Sequence, residues 1–394
     1  MKTVYDKYKK AVITFICGHC FACLLLFLVI FLFAKCFDPL HLYSTSIDED
    51  NQYFSVDERL QNAGYIRNFD FDSVIIGNSH MQNLANSKTG EYLDGKWFNL
   101  SVVGSRNNER RIILEDVFRR KQIKSVLLLL TNDLITFKTS DFEFLYDDND
   151  LNDINIYLNE MYLKCFFKWV KSSVTSGNLD PVCRGEKLNV DEHSAWIYNP
   201  QYASRFGNME NWAENYQNQH MVNVLNDLNN YYSIPPRNLN KISDKDKAEI
   251  EKNVEENIES LVKAHPETTF YCYAQPYFKL EWALDLRRKE GKEIEIYLEF
   301  LKEYVKLASK YKNFKLYGFD NLPFTFDVKN YNDTIHFSLE MSYKVLEYIR
   351  DDKYLLNSDN INDYIEEFKK GIYSFDLVKF HDDLDFFIKK RTNK

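Results

Sequence analysis

Residues 72–80 read Asp72-Ser73-Val74-Ile75-Ile76-Gly77-Asn78-Ser79-His80, a short β-branched run that halts at a glycine and delivers a serine at its tip. Four further apolar runs resemble it: 97–103, 124–130, 268–274 and 313–318. Near-continuous apolar runs of this length suit strands buried on both faces, hence a parallel sheet. Between them, 107–120, 243–264, 290–311 and 338–350 repeat apolar positions every three or four residues, and Ser243 is a natural N-cap. Strand–helix alternation predicts a doubly wound α/β domain with helices on both faces, a three-layer arrangement. In such sheets sites form at the carboxyl ends of strands, where Ser79, Gly104 and Asn132 all fall.

The chain of 394 residues is 45% hydrophobic and 16% aromatic, which excludes a disordered protein. A net charge of −9 gives no electrostatic footprint for nucleic acid. Residues 11–34 are apolar apart from His19 and small or weakly polar side chains. About 24 helical residues cover roughly 36 Å, enough to span a bilayer with some tilt. Lys35-Cys36-Phe37-Asp38-Pro39 follows in place of a small-residue cleavage site, so an uncleaved anchor is expected. Lys2, Lys7, Lys9 and Lys10 against Asp6 keep residues 1–10 cytoplasmic, which exports everything after the span. The expected location is thus the inner (cytoplasmic) membrane, single-pass, with the bulk of the chain outside the cytoplasm. Cys17, Cys20, Cys23 and Cys36 lie in or beside the span and are read as small apolar residues, not metal ligands. Cys165, Cys183 and Cys272 allow one disulfide and one spare thiol.

Residues 35–70 read as a juxtamembrane connector and 71–355 as the α/β domain. The strand–helix rhythm breaks over 140–240, which is too long for a simple βα connection and is expected to be a cap-like insertion. It holds His193, Trp196 and Arg205, which together with Gln275 and Tyr277 are weak candidates for substrate contact. Residues 356–394 read as a helical extension.

A nucleophilic Ser79 needs a base, a group that orients the base, and donors for an oxyanion. Asp333-Thr334-Ile335-His336 supplies the first two, since Asp-x-x-His lets both side chains emerge from one loop before the helix opening at Ser338. Asp38-Pro39-Leu40-His41 has the same spacing but sits at the membrane exit. His80 is read as a neighbour of the site and not as the base. No Gly-x-Ser-x-Gly elbow surrounds Ser79, so the common α/β-hydrolase pattern is not met.

Gly77-Asn78-Ser79-His80, Gly104 within Asn99–Ser105, Thr131-Asn132-Asp133 and Asp333–His336 resemble, in order, the four sequence blocks of SGNH (GDSL-like) hydrolases. The resemblance covers roughly 71–350 without the insertion and implies a flavodoxin-like fold. It implies Ser79 as nucleophile, His336 as base and Asp333 as its partner. The implied oxyanion donors are the Ser79 N–H, the Gly104 N–H and the Asn132 amide. Two positions depart from the pattern: Asn78 stands for the usual aspartate, and Leu130 for the glycine that opens the third block.

An exported, tethered serine nucleophile is similar in layout to bacterial surface-polysaccharide O-acyltransferases. That resemblance implies transfer of an acyl group to a cell-envelope glycan, with a membrane-bound acyltransferase as a partner and no cofactor or metal. Hydrolysis of the same ester, and a non-catalytic glycan-binding or assembly subunit on the same fold, are the two alternatives.

Overall fold

The computed structural model describes residues 2–38, 40–43, 53–54, 57–132, 134–158, 160–175, 186–187, 204, 206–215, 219–288 and 291–392. The five apolar runs form β1 (Ser73–Ile76), β2 (Trp97–Asn99), β3 (Ser125–Leu130), β4 (Thr269–Ala274) and β5 (Phe314–Tyr317). They pair in the order β2-β1-β3-β4-β5, every pair parallel. This is the doubly wound order in which the sheet grows first one way and then the other, with its switch point between β1 and β3.

Alternation along the strands sends their side chains to two covered faces. Ile75, Leu127, Leu129, Tyr273 and Tyr317 pack with Trp97, Val345, Leu346 and Ile349 in one core, which Tyr92 and Leu93 flank. Val74, Ile76, Val126, Leu128, Phe270, Cys272 and Leu316 are equally buried on the alternate positions. Helices Asn107–Arg120, Asp244–Ala264 and Lys292–Lys310 cover that side. Their starts and stops follow local chemistry: Ser243 caps through a reciprocal bond with Asp246, and Ser338 accepts from the Met341 N–H.

The chain divides into two compact units, Met1–Phe69 with Ser140–Val190, and Asp70–Thr139 with Asp191–Lys394. The stretch expected as one insertion is therefore shared: 140–190 groups with the connector, and 191–240 with the sheet. In the first unit the Asp38 carboxylate is buried and accepts from Leu42 N–H (2.9 Å), Tyr43 N–H (2.7 Å) and Tyr157 O–H (2.6 Å). Arg67 joins the Asp153 carboxylate (2.6 Å) and the Leu145 carbonyl (2.8 Å). The described part of the connector is thus folded against residues 145–157, because its polar groups find buried partners there. Cys165 is disulfide-bonded. The N-terminal helix runs Lys2–Phe37, and its Lys7–Val29 segment, with mean hydropathy 2.6 and no burial, is long and apolar enough to cross a membrane.

Residues 356–394 belong to the sheet unit as structural members. Leu377, Phe380 and Leu384 pack with Trp212, Met221, Leu228 and Phe278. Helix Ile361–Ser374 covers Lys279, whose ammonium lies 4.5 Å from the Phe368 ring centroid and donates to the Asp320 carbonyl. Burial pulls the Lys279 pKa down to about 8, against the opposing pull of Asp320.

An unfolded lysine holds its proton to much higher pH than this, so above pH 8 the unfolded chain binds more protons and stability rises with pH. Replacing Lys279 with methionine is expected to remove about 1.5 kcal/mol of the stability gained between about pH 8 and about pH 9.5. Urea unfolding at the two pH values, followed by intrinsic fluorescence, checks this; equal gains in both proteins would refute it.

Candidate active site

β1 ends where a side chain cannot follow. A Cβ on Gly77 would lie 2.3 Å from Met81 Cγ and 2.9 Å from Leu129 Cβ, so glycine is the residue that lets the chain turn against β3. Asn78 then makes the turn: its Oδ1 accepts from His80 N–H (3.1 Å) and its carbonyl from Met81 N–H (3.0 Å). The Oδ1 acceptor is what the turn uses, and asparagine supplies it as aspartate would. Asn99, buried at the end of β2, donates through Nδ2 to the Met81 (2.8 Å) and Leu84 (2.9 Å) carbonyls and holds the far side of the turn. Ser79 stands at the tip, partly exposed.

His336 reaches Ser79 from the far edge of the sheet, its Nε2 3.0 Å from Ser79 Oγ. Its Nδ1 lies 2.8 Å from Asp333 Oδ2, while Asp333 Oδ1 accepts from the N–H groups of Ile335 (2.8 Å) and His336 (2.7 Å). The three-residue spacing lets one carboxylate fix both the backbone of the loop and the tautomer of the ring: Nδ1–H donates to Asp333, leaving Nε2 to accept from the serine. The loop is anchored by Phe278 N–H to Thr334 O (3.1 Å) and Ser338 N–H to Asn330 O (2.8 Å). Burial alone would raise the Asp333 pKa, but the His336 charge and its hydrogen bonds hold it well below the ordinary carboxylate value. Asp333 therefore stays ionised throughout the range in which a histidine base works.

The loops bearing the oxyanion candidates are tied to the same turn. The Gly77 carbonyl accepts from Val102 N–H (2.9 Å) and Ser105 Oγ (2.9 Å), which leaves Gly104 exposed between them at φ +66°. Arg110, fully buried, donates to Ser105 Oγ (2.9 Å) and to the Leu129 carbonyl, joining this loop to β3. Beyond β3, Thr131 N–H donates to Asn107 Oδ1 (3.4 Å) and Thr131 O accepts from Tyr304 O–H (2.8 Å). This holds Asn132 at the carboxyl edge, partly exposed, with its Oδ1 buried. Leu130, at the block-three glycine position, is the buried last residue of β3, opposite Ala274.

His80 is buried and its ring lies against His336, centroids 4.3 Å apart and planes tilted by 33°. Burial first, and the adjacent His336 second, push its pKa well below the ordinary histidine value, so it remains a neutral neighbour. Tyr277, half-buried, stands 6.1 Å from the His80 ring, and Gln275 is buried just past β4. His193, Trp196 and Arg205, and Asp133 of the third block, lie outside the described residues. Asn99, Asn107 and Arg110 were not anticipated as positioning groups. Asn107 and Arg110, three apart at the start of the helix that follows Gly104, are the signal that reading the sequence passes over.

Alanine at 77 is expected to destabilise the protein by about 1–3 kcal/mol through overpacking, and shortening Met81 to alanine in the same chain is expected to recover part of that loss. A double-mutant cycle by thermal unfolding checks this; strict additivity would refute the steric account.

Comparison of the sequence with protein-family models and with curated proteins returns no match.

Proposed function

We propose that this chain is a membrane-anchored, extracytoplasmic serine acyltransferase that modifies a cell-envelope glycan through an acyl-Ser79 intermediate. The observation that carries the reading is the continuous hydrogen-bonded line Ser79 Oγ–His336 Nε2 (3.0 Å) and His336 Nδ1–Asp333 Oδ2 (2.8 Å). Such a line lets His336 take the serine proton while Asp333 stabilises the imidazolium that forms.

In the first half-reaction Ser79 Oγ attacks the acyl carbonyl carbon and its proton passes to His336 Nε2. The N–H groups of Ser79 and Gly104 and the Asn132 amide are the donors for the oxyanion. Collapse breaks the bond to the donor's leaving group, which takes the proton from His336. In the second half, a sugar hydroxyl gives its proton to His336, attacks the acyl-serine carbonyl and releases Ser79. Water in place of the sugar would make the same site an esterase.

The apolar Lys7–Val29 segment supports an anchor. The lysines before it support an inner-membrane placement with the N-terminus in the cytoplasm. The disulfide at Cys165 suits an oxidising compartment. A glycan acceptor, and a membrane-bound acyltransferase as acyl donor, complete the proposal.

A fluorophosphonate probe is expected to label the full-length protein in detergent micelles. Labelling should vanish in Ser79→Ala and persist in Ser101→Ala, whose serine is buried beside the site. Failure of the folded protein to label would favour a binding or assembly subunit. Release of free acid only, with and without glycan acceptor, would assign hydrolysis. Asp333→Asn is expected to lower kcat by roughly 10³–10⁴ with a small change in KM, because the wrong tautomer of His336 is then favoured. Steady-state kinetics with an activated ester checks this.

A further inference from the structure

The chain is locked in place as soon as it leaves the N-terminal helix. Apolar sequence runs to Ala34, and Asp38, four residues on, is about 6 Å farther at the helical rise. The Tyr157 hydroxyl donates to the Asp38 carboxylate (2.6 Å) and accepts from Leu40 N–H (3.3 Å). The turn that carries Tyr157, Asn152–Leu158, packs on the N-terminal helix. The polar layer on each side of a bilayer's hydrocarbon core is roughly 5–7 Å deep. A chain anchored by this helix therefore holds Tyr157 at the surface of the leaflet.

Helix Glu160–Thr175 begins two residues after that turn. Tyr162 and Cys165 are buried on its inward side, where Tyr162 meets the Tyr157 ring edge-on at 5.1 Å. Lys164, Phe167, Lys168 and Lys171 recur at i, i+3, i+4 and i+7 and all four are exposed, so they share the outward face. Phe167 is 66% exposed. Glu160, which pairs with Lys164 (2.6 Å), is the helix's one acidic residue against three lysines, in a chain of net charge −9. Phe167 and Lys168 lie about 10–12 Å from the helix start, close to the roughly 8–10 Å over which a charged surface acts. A lysine's long apolar stem carries its charge farther still. Lysines around an exposed aromatic, on an amphipathic helix beside a span, make the composition of a helix that lies on a membrane.

We propose that Lys164, Phe167, Lys168 and Lys171 form a membrane-contacting face. The lysines take anionic lipid headgroups of the leaflet the span emerges from, and Phe167 enters the boundary between headgroups and acyl chains. This rests on the membrane-anchored reading and adds a second point of attachment to it. Two attachments fix an orientation that a single span leaves free to rotate.

The test uses the full-length protein in nanodiscs of phosphatidylcholine, with and without phosphatidylglycerol. The photocrosslinker p-benzoylphenylalanine replaces Phe167 or, in a second protein, Leu25, which is exposed within the span. Lipid adducts, identified by mass spectrometry, are expected at both positions. A lysine near an anionic surface is worth about fivefold in partitioning. The adduct at 167 is therefore expected to rise about threefold to tenfold with phosphatidylglycerol. High salt, or the triple substitution Lys164→Gln, Lys168→Gln and Lys171→Gln, is expected to reverse that rise. The adduct at 25 should not move, and it reports insertion of every variant. A lipid adduct at 25 without one at 167 overturns the face and leaves the anchor standing. So does an adduct at 167 that ignores lipid charge and the lysines, or one that forms to protein alone. No lipid adduct at either position in folded protein overturns the anchored reading as well.

Discussion

The carbonyl of Gly77 is the junction on which the site depends. It accepts one bond from the Val102 N–H and another from the Ser105 hydroxyl, so a single peptide group at the end of β1 locates the loop that follows β2. Ser105 passes the constraint to Arg110, and Arg110 to the Leu129 carbonyl of β3. These groups are buried, and a buried donor or acceptor left without its partner costs about 1–3 kcal/mol. The loops after β1 and β2 are therefore held against each other and against β3 by bonds that are expensive to break. The space at Gly77 is as strict as the bonding, since Met81 and Leu129 close over the position where a side chain would begin.

The opposite half of the site is organised by one carboxylate. Asp333 receives two backbone N–H groups and the His336 ring, so the loop and the base are ordered by the same atom pair. Preorganisation of this kind removes reorganisation from the proton-transfer step. His80 packs against the working imidazole with its ring tilted, buried and uncharged. A cation in its place would oppose the imidazolium that His336 becomes on accepting a proton.

Much of the fold is legible in composition and periodicity. The five strands coincide with the five apolar runs to within a few residues, because a strand covered on both faces must be apolar at consecutive positions. The helices from Asn107, Asp244, Lys292 and Leu339 follow their predicted spans for the same reason, one stripe of each being buried. Less legible were segments whose partners are distant. Residues 35–70 read as a connector because Asp38 and Arg67 look like surface charges until Tyr157 and Asp153 are set beside them. The 356–394 tail read as a helical extension with no assigned partner, because an amphipathic pattern shows that a face is buried without naming what buries it; Trp212 and Phe278 do so.

By itself the sequence determined the strand that ends in Ser79, the Asp-x-x-His loop, the apolar N-terminal segment and the parallel class of the sheet. Each is a local pattern whose physics acts over a few residues. Only the tertiary structure decided that His336 Nε2 lies 3.0 Å from Ser79 Oγ across 257 residues of chain, and that Arg110, Asn107 and Asn99 hold the surrounding loops. Those contacts follow from strand order, and strand order is set by how both faces of the sheet are covered at once. No single segment carries that information.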